Sequence, residues 1–216
     1  MARNAGEGGG VFEDRRGRGG AGAGGSVTMA KRGGASNEGM GIPEGYRRAA
    51  RGGPTVRTDI VDVYIFRMAR EGDASSVEFL QLLRAAAPLE KTWQPVMGHI
   101  EAGESTIDCA RRELAEEVGL CAGDPAWLGF WALEQAHPFY VAPIDAIVMS
   151  PRLAARVSME WTPRLNEEHS DMRWAPSEAV DSMFLWPGQK RACAEVLGEL
   201  VRPGSAAAGA LAIPME

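Results

Sequence analysis

Residues 98–120 read GHIEAGESTIDCARRELAEEVGL, and this stretch decides how the rest of the chain is read. Its second part, STIDCARRELAEEV at 105–118, has helical periodicity, with Ile107, Ala110, Leu114 and Val118 on one apolar stripe. Ser105 or Thr106 suits the cap at its start, and Gly119 suits the left-handed position past its end. Glu113, Glu116 and Glu117 stand at i, i+3 and i+4, so they share a face at the margin of the buried stripe. Three carboxylates on one face repel each other unless a cation sits between them. Their all-oxygen donor set suits a hard divalent ion, Mg²⁺ or Mn²⁺.

Working outward, TVRTDIVDVYIFRM (55–68) is rich in β-branched residues and alternates around Val61, Val63 and Ile65, which predicts a strand. VEFLQLLR (77–84) predicts a second strand paired with it across the turn REGDASS, and TWQPVMGHI (92–100) is a short extended stretch leading into the glutamates. Downstream, 125–135, 139–150 and 171–175 read as strands, and 177–183 and 186–201 as helices. Strands early and helices in the middle and at the end predict an α+β fold, a mixed sheet covered by helices.

The 216 residues are unevenly composed. Residues 1–53 hold 17 of the 27 glycines and 9 Lys/Arg against 5 Asp/Glu, with almost no apolar periodicity. Such a segment buries too little apolar surface to offset its ordering entropy, so it is expected to be a disordered tail, with Met29 and Met40 as alternative starts. A folded domain is expected over 54–202 and a flexible tail over 203–216. Residues 54–216 carry 14 basic and 24 acidic residues, a formal charge of −10, which argues against a nucleic-acid-binding surface. No apolar run is long enough to span a membrane, and no secretory or transit signal is recognisable. Cys109, Cys121 and Cys193 are odd in number and lack CxxC spacing, so they read as reduced thiols of a cytoplasmic protein.

The opening stretch matches, position for position, G-x5-E-x7-R-E-U-x-E-E-x-G-U, with U a bulky aliphatic residue. The matching residues are Gly98, Glu104, Arg112, Glu113, Leu114, Glu116, Glu117, Gly119 and Leu120. In this the chain resembles the Nudix hydrolases. TWQPVMGHIEAGE, the run from Glu168 and His169 to Trp174, and WPGQKRA resemble the bacterial nucleoside triphosphate and dihydroneopterin triphosphate pyrophosphatases within that family. Met97 departs from their pattern, standing where they carry a threonine. The resemblance implies an α/β/α sandwich with a mixed sheet. It also implies Mg²⁺ or Mn²⁺ held by the Gly98 carbonyl, Glu113, Glu116 and Glu117, and an Arg112–Glu104 pair that braces the helix against its loop. Glu168, beside Glu167, is the implied downstream metal-linked acid, and the general base stays open between the signature glutamates and such a loop acid.

The implied reaction is hydrolysis of a diphosphate linkage in a small nucleoside triphosphate-like substrate, giving a monophosphate and diphosphate. Dinucleoside polyphosphates and nucleotide sugars are alternatives, as is a Nudix-fold module without catalysis. Arg84 is a candidate for a substrate phosphate, and Trp93, with Trp174 and Trp186, for a base pocket. His169, His99 and His137 read as structural. Nudix enzymes are often homodimers, and nothing in the sequence marks an interface.

Overall fold

The structure, a computed structural model, describes residues 52–87 and 89–215. All but the last two residues of the glycine-rich segment 1–53 lie outside the described residues. Among the described residues ten strands are ordered β1 (Thr55–Arg57), β2 (Ile60–Met68), β3 (Val77–Arg84), β4 (Trp93–Gln94), β5 (Val96–His99), β6 (Trp127–Ala132), β7 (Phe139–Val141), β8 (Ala146–Val148), β9 (Arg152–Val157) and β10 (His169–Pro176). Helix α1 spans Thr106–Val118, α2 Val180–Met183, α3 Pro187–Glu195 and α4 Ala207–Ala210. The main sheet runs β10-β3-β2-β9-β6, with β4 on β3 and β5 on β2, and a small sheet runs β1-β8-β7. Within the main sheet β2 and β9 are parallel, whereas β2 is antiparallel to β3 and β5, so the sheet is mixed.

Alternation along β2 makes this a three-layer fold. Val61, Val63 and Ile65 join the core beneath α1, with Leu114, Val118 and Phe130. Tyr64 and Phe66 face the other way and join the core beneath α3, with Phe79, Ala192, Cys193 and Val196. A strand covered on both faces is apolar in nearly every position, as β2 is. The expected α/β/α layering with a mixed sheet is what the chain adopts.

The sheet forks, and the fork positions the site. β2 and β3 pair directly only from Phe66 to Met68, opposite Phe79 to Val77. Toward the other end they splay, and β4 and β5 fill the wedge, with Gln94 opposite Leu82 and Gly98 opposite Val61. Pro95 lacks the N–H a continuous strand needs, which divides β4 from β5. From the tip of the wedge the chain turns into α1, where Ser105 Oγ accepts from the Asp108 N–H at 3.2 Å. At the other end Gly119 adopts φ 72°, and the Leu120 N–H reaches the Leu114 carbonyl at 2.9 Å.

Several expectations are corrected. The stretch 55–68 is two strands, broken where Arg57 clasps Asp59 through Nε at 3.0 Å and Nη2 at 2.6 Å, and β1 leaves for the small sheet. Residues 139–150 form a hairpin, because Pro143 starts a 3-10 turn and Asp145 takes φ 44°. β9 was not read from the sequence. Its two arginines mask a strand that lies in the middle of the sheet, where buried Arg152 is the register partner of buried Asp62. The last long helix changes to π geometry over Val196–Val201. The C-terminal segment, expected as a flexible tail, packs back on the domain. The Ile213 N–H donates to the Phe130 carbonyl at 2.8 Å, Trp131 Nε1 to the Ala208 carbonyl at 2.9 Å, and Arg111 Nη2 to the Pro214 carbonyl at 2.6 Å. Ile213 thereby covers the α1-side core. Among the described residues no helix is long and apolar enough to cross a membrane, and all three cysteines are free.

Candidate functional site

At the open end of the fork, α1 lies against β5 so closely that a Cβ on Gly98 would collide with the Glu113 carboxylate. Glycine is therefore required there for contact and not for its φ angle. Arg112 organises the surrounding loop. Its Nε and Nη2 donate to the two Glu104 oxygens at 2.9 and 3.0 Å, and Nη2 also donates to the His99 carbonyl at 3.0 Å. The Glu101 N–H donates to Glu104 Oε2 at 3.0 Å. This bidentate pair holds the Glu104 carboxyl down at about 2, with Arg112 the largest cause, and raises Arg112 further above its usual value. These bonds tie the loop to the helix.

The helix carboxylates have unequal surroundings. Glu117 is 1% exposed, and its Oε2 has no hydrogen-bond partner among the described residues. Burial, then the charges of Glu113 and Glu168, push its pKa up to about 9, against a smaller opposing effect of the Met97 backbone N–H. Glu113 is 8% exposed and is raised by burial, with Arg112 opposing. Glu116 stands more open, with its side chain 56% exposed. Arg112 Nη1 donates to Glu113 at 2.7 Å and Glu116 at 3.2 Å.

Residues remote in sequence close the cluster. The β3–β10 register sets His169 opposite Arg84, so the Glu168–His169 turn arrives at the carboxylates. The Glu168 carbonyl accepts from the Ala85 N–H at 2.8 Å, its N–H donates to Asn166 Oδ1 at 3.1 Å, and its carboxylate pairs with Arg84 at 3.4 Å. Glu168 acts electrostatically on both Glu113 and Glu117, so the structure brings this acid and Arg84 to the helix face. Glu167 is exposed. His169, read as structural, is fully buried at its ring, 3.9 Å from Glu117 Oε2 and 3.5 Å from Gln94 Nε2. Burial lowers its pKa, so at neutral pH it is a neutral imidazole against a buried carboxyl. Gln94 was missed altogether, and only strand parity, which sets it opposite Leu82 on the α1 face, singles it out.

The tryptophans do not join this cluster. Trp93 faces the opposite side of the sheet from its neighbour Gln94, where the Arg173 guanidinium stacks 4.1 Å above its ring. There it helps line a cleft of ≈ 510 Å³ with Lys91, Met183, Phe184 and Lys190. Trp174 belongs to the core, packed edge-on to Trp161 and covered by Arg67 at 3.9 Å. Trp186 is 51% exposed at the start of α3.

These donors fit a divalent cation. Buried carboxylates that raise one another's pKa, one with an unmet oxygen, are the arrangement that a hard cation stabilises. The side chains as they stand are not a closed ligand set, and among the described residues no three His, Cys, Asp or Glu side chains converge on one point. Two of the acids turn instead to Arg112, and exposed Glu116 has room to swing back.

Comparison with known proteins agrees with the geometry. Residues 57–196 match the family model described as NUDIX domain. The chain is 32% identical over 108 residues to the asymmetrical bis(5'-nucleosyl)-tetraphosphatase of Sus scrofa, covering 50% of this chain and 70% of that protein. It is 34% identical over 100 residues to the m7GpppN-mRNA hydrolase NUDT17 of Xenopus laevis, covering 44% of this chain but 30% of that one. In fold it is similar to the dihydroneopterin triphosphate pyrophosphohydrolase of E. coli, with TM-score 0.54, 18% identity, and coverage of 67% of this chain and 97% of that one. A C. elegans Ap4A hydrolase complex is similar at TM-score 0.52 and 18% identity, over 64% of this chain and 94% of that one. With the signature helix, the forked sheet and the family match over residues 57–196, the chain belongs to the Nudix hydrolase family.

Proposed function

We propose that the protein is a divalent-metal-dependent pyrophosphohydrolase of the cytoplasm that cleaves a diphosphate linkage in a nucleoside polyphosphate. The observation that carries this is the buried pair on α1, Glu113 packed against Gly98 and Glu117 with an oxygen that no described residue engages. Gly98, Glu113, Glu116, Glu117 and Glu168 would hold Mg²⁺ or Mn²⁺. The ion would supply positive charge against the phosphates and acidify an attacking water. Arg112 and Glu104 position the helix, and loss of such support costs 10–100-fold in metal affinity or activity in comparable sites. Arg84 offers a guanidinium for a phosphate, at present shared with Glu168. Glu116 is the signature acid open to solvent, and we assign it the proton from the attacking water.

A nucleoside triphosphate-like substrate, yielding a monophosphate and diphosphate, follows from the resemblance of the wedge and of the Glu168–Trp174 run. Dinucleoside polyphosphates are the second reading, favoured by 32% identity to a bis(5'-nucleosyl)-tetraphosphatase. Purified protein with Mg²⁺ is to be assayed against dATP, dihydroneopterin triphosphate, diadenosine tetraphosphate and ADP-ribose, with the products identified. Diphosphate release from the triphosphates supports the first reading, and asymmetric cleavage of the tetraphosphate the second. No hydrolysis of any, with Glu116→Gln indistinguishable from wild type, would overturn the proposal.

A further inference from the structure

The small sheet β1-β8-β7 is apolar on both faces. A sheet covered on one face alternates apolar and polar residues, whereas one covered on both is apolar throughout, as β2 is. β7 reads Phe139, Tyr140, Val141, and β8 reads Ala146, Ile147, Val148. Ala146 and Val148 are each 1% exposed, so one face packs on the domain. The other face points outward. Register sets Tyr140 opposite Ile147 and Ile147 opposite Val56, a row across all three strands, and Met149 lies two residues on from Ile147 on the same side. Val56 is 62% exposed, Tyr140 57% and Met149 40%, and Ile144, in the turn between β7 and β8, is 53% exposed. With Phe139 on the edge strand, these are five of the eleven large apolar side chains exposed among the described residues, gathered on one hairpin and one three-residue strand.

Charge narrows what can cover this face. Between Pro138 and Ser150 the only charged side chain is Asp145, which accepts from the Tyr140 hydroxyl at 2.9 Å. Arg57 of β1 is held by Asp59 at 2.6 Å. Residues 54–216 carry a formal charge of −10, so two copies repel each other wherever their acidic surfaces meet. Here that repulsion is absent, and a partner rich in either sign of charge finds nothing to pair with.

We propose that the outward face of the small sheet is the contact between two copies of this chain. A two-fold axis sets one patch against itself, and an uncharged apolar sheet face is complementary to itself. Side chains of this size leave roughly 400 Å² in water, at the scale of the largest apolar patch of an ordinary monomer. Two such faces stacked about 10 Å apart withdraw roughly 800 Å² at their centre. The rim around them brings the total to the ~1,200 Å² of the smaller specific interfaces. Depletion of charge and enrichment in aromatic residues and Met mark the centre of such interfaces, and this face has both. The contact does not rest on the activity proposed above.

The test is sedimentation velocity of the full chain from roughly 1 to 100 µM. The expected result is a dimer that dissociates in the low micromolar range, as suits a small interface. Val56→Glu and Met149→Glu should each weaken association at least tenfold, because each buries an unpaired carboxylate at the contact. Both sites are exposed, so the circular dichroism and Tm of the separated variants should match those of wild type. Leu128→Glu, at a 47% exposed position on β6, adds the same charge elsewhere and should leave the dimer unchanged. Wild type that stays monomeric at every concentration overturns the proposal. Binding of that monomer to phosphatidylcholine vesicles, lost in Val56→Glu, would assign the face to a membrane instead. A dimer left intact by both Val56→Glu and Met149→Glu, or broken equally by Leu128→Glu, overturns it as well.

Discussion

Replacing Glu117 by glutamine tests the electrostatic logic of the site without assuming a substrate. Glu117 is buried, with a folded-state pKa pushed up to about 9 from an ordinary 4.5, first by burial and then by Glu113 and Glu168. Folding therefore favours its protonated form. That contribution is fully present below pH 4.5 and is lost as the pH rises toward 9, since the unfolded chain ionises first. Between pH 5 and pH 8 the loss is about 1.4 kcal/mol per unit, or about 4 kcal/mol in all. For a chain of this size that is about 10 °C in Tm. In EDTA, wild type should lose about that much more Tm than Glu117→Gln over the window, because glutamine keeps the shape and has no proton to lose. Groups remote from Glu117 that titrate in both proteins, His137 among them, cancel in the difference. Mn²⁺ should raise the wild-type Tm at pH 8 more than at pH 5, and should do little for the variant. Thermal melts of the two proteins running parallel across pH in EDTA would refute the reasoning.

Three further outcomes are expected. Glu116→Gln should lower kcat by about 10²–10⁴-fold with a small change in Tm, because the residue is exposed, and kinetics with calorimetry separate the two effects. Gly98→Ala should weaken Mn²⁺ binding by calorimetric titration at least tenfold, because its Cβ displaces the Glu113 carboxylate; unchanged binding would show that Glu113 is not a ligand. Ending the chain after Arg202 should destabilise the domain by about 2–4 kcal/mol in urea melts, through loss of the hydrogen bonds to Phe130 and Trp131 and exposure of the core under Ile213.

The signature helix was legible because local rules govern it. Ser105 caps it, Gly119 ends it, and spacing alone sets Glu113, Glu116 and Glu117 on one face. The strands with regular apolar alternation, β2 and β3, were legible for the same reason. β9 was not, because its arginines are tolerated only by partners on other elements. Pattern likewise did not reveal that the segment after Arg202 packs, since its weak apolar content acts through Phe130 and Trp131 far upstream.

The sequence by itself therefore determined the family, the layered fold and the helix carboxylates, all consequences of short-range spacing. Only the tertiary structure decided which distant groups share their space. It set Glu168 and Arg84 beside the helix through the β3–β10 register, and buried His169 near both Gln94 and Glu117. It turned Trp93 to the other face, and brought Arg152 and His137 against Gly188. The physical reason is that periodicity along one element tells which way a side chain points, whereas register and the splaying of strands decide what it meets.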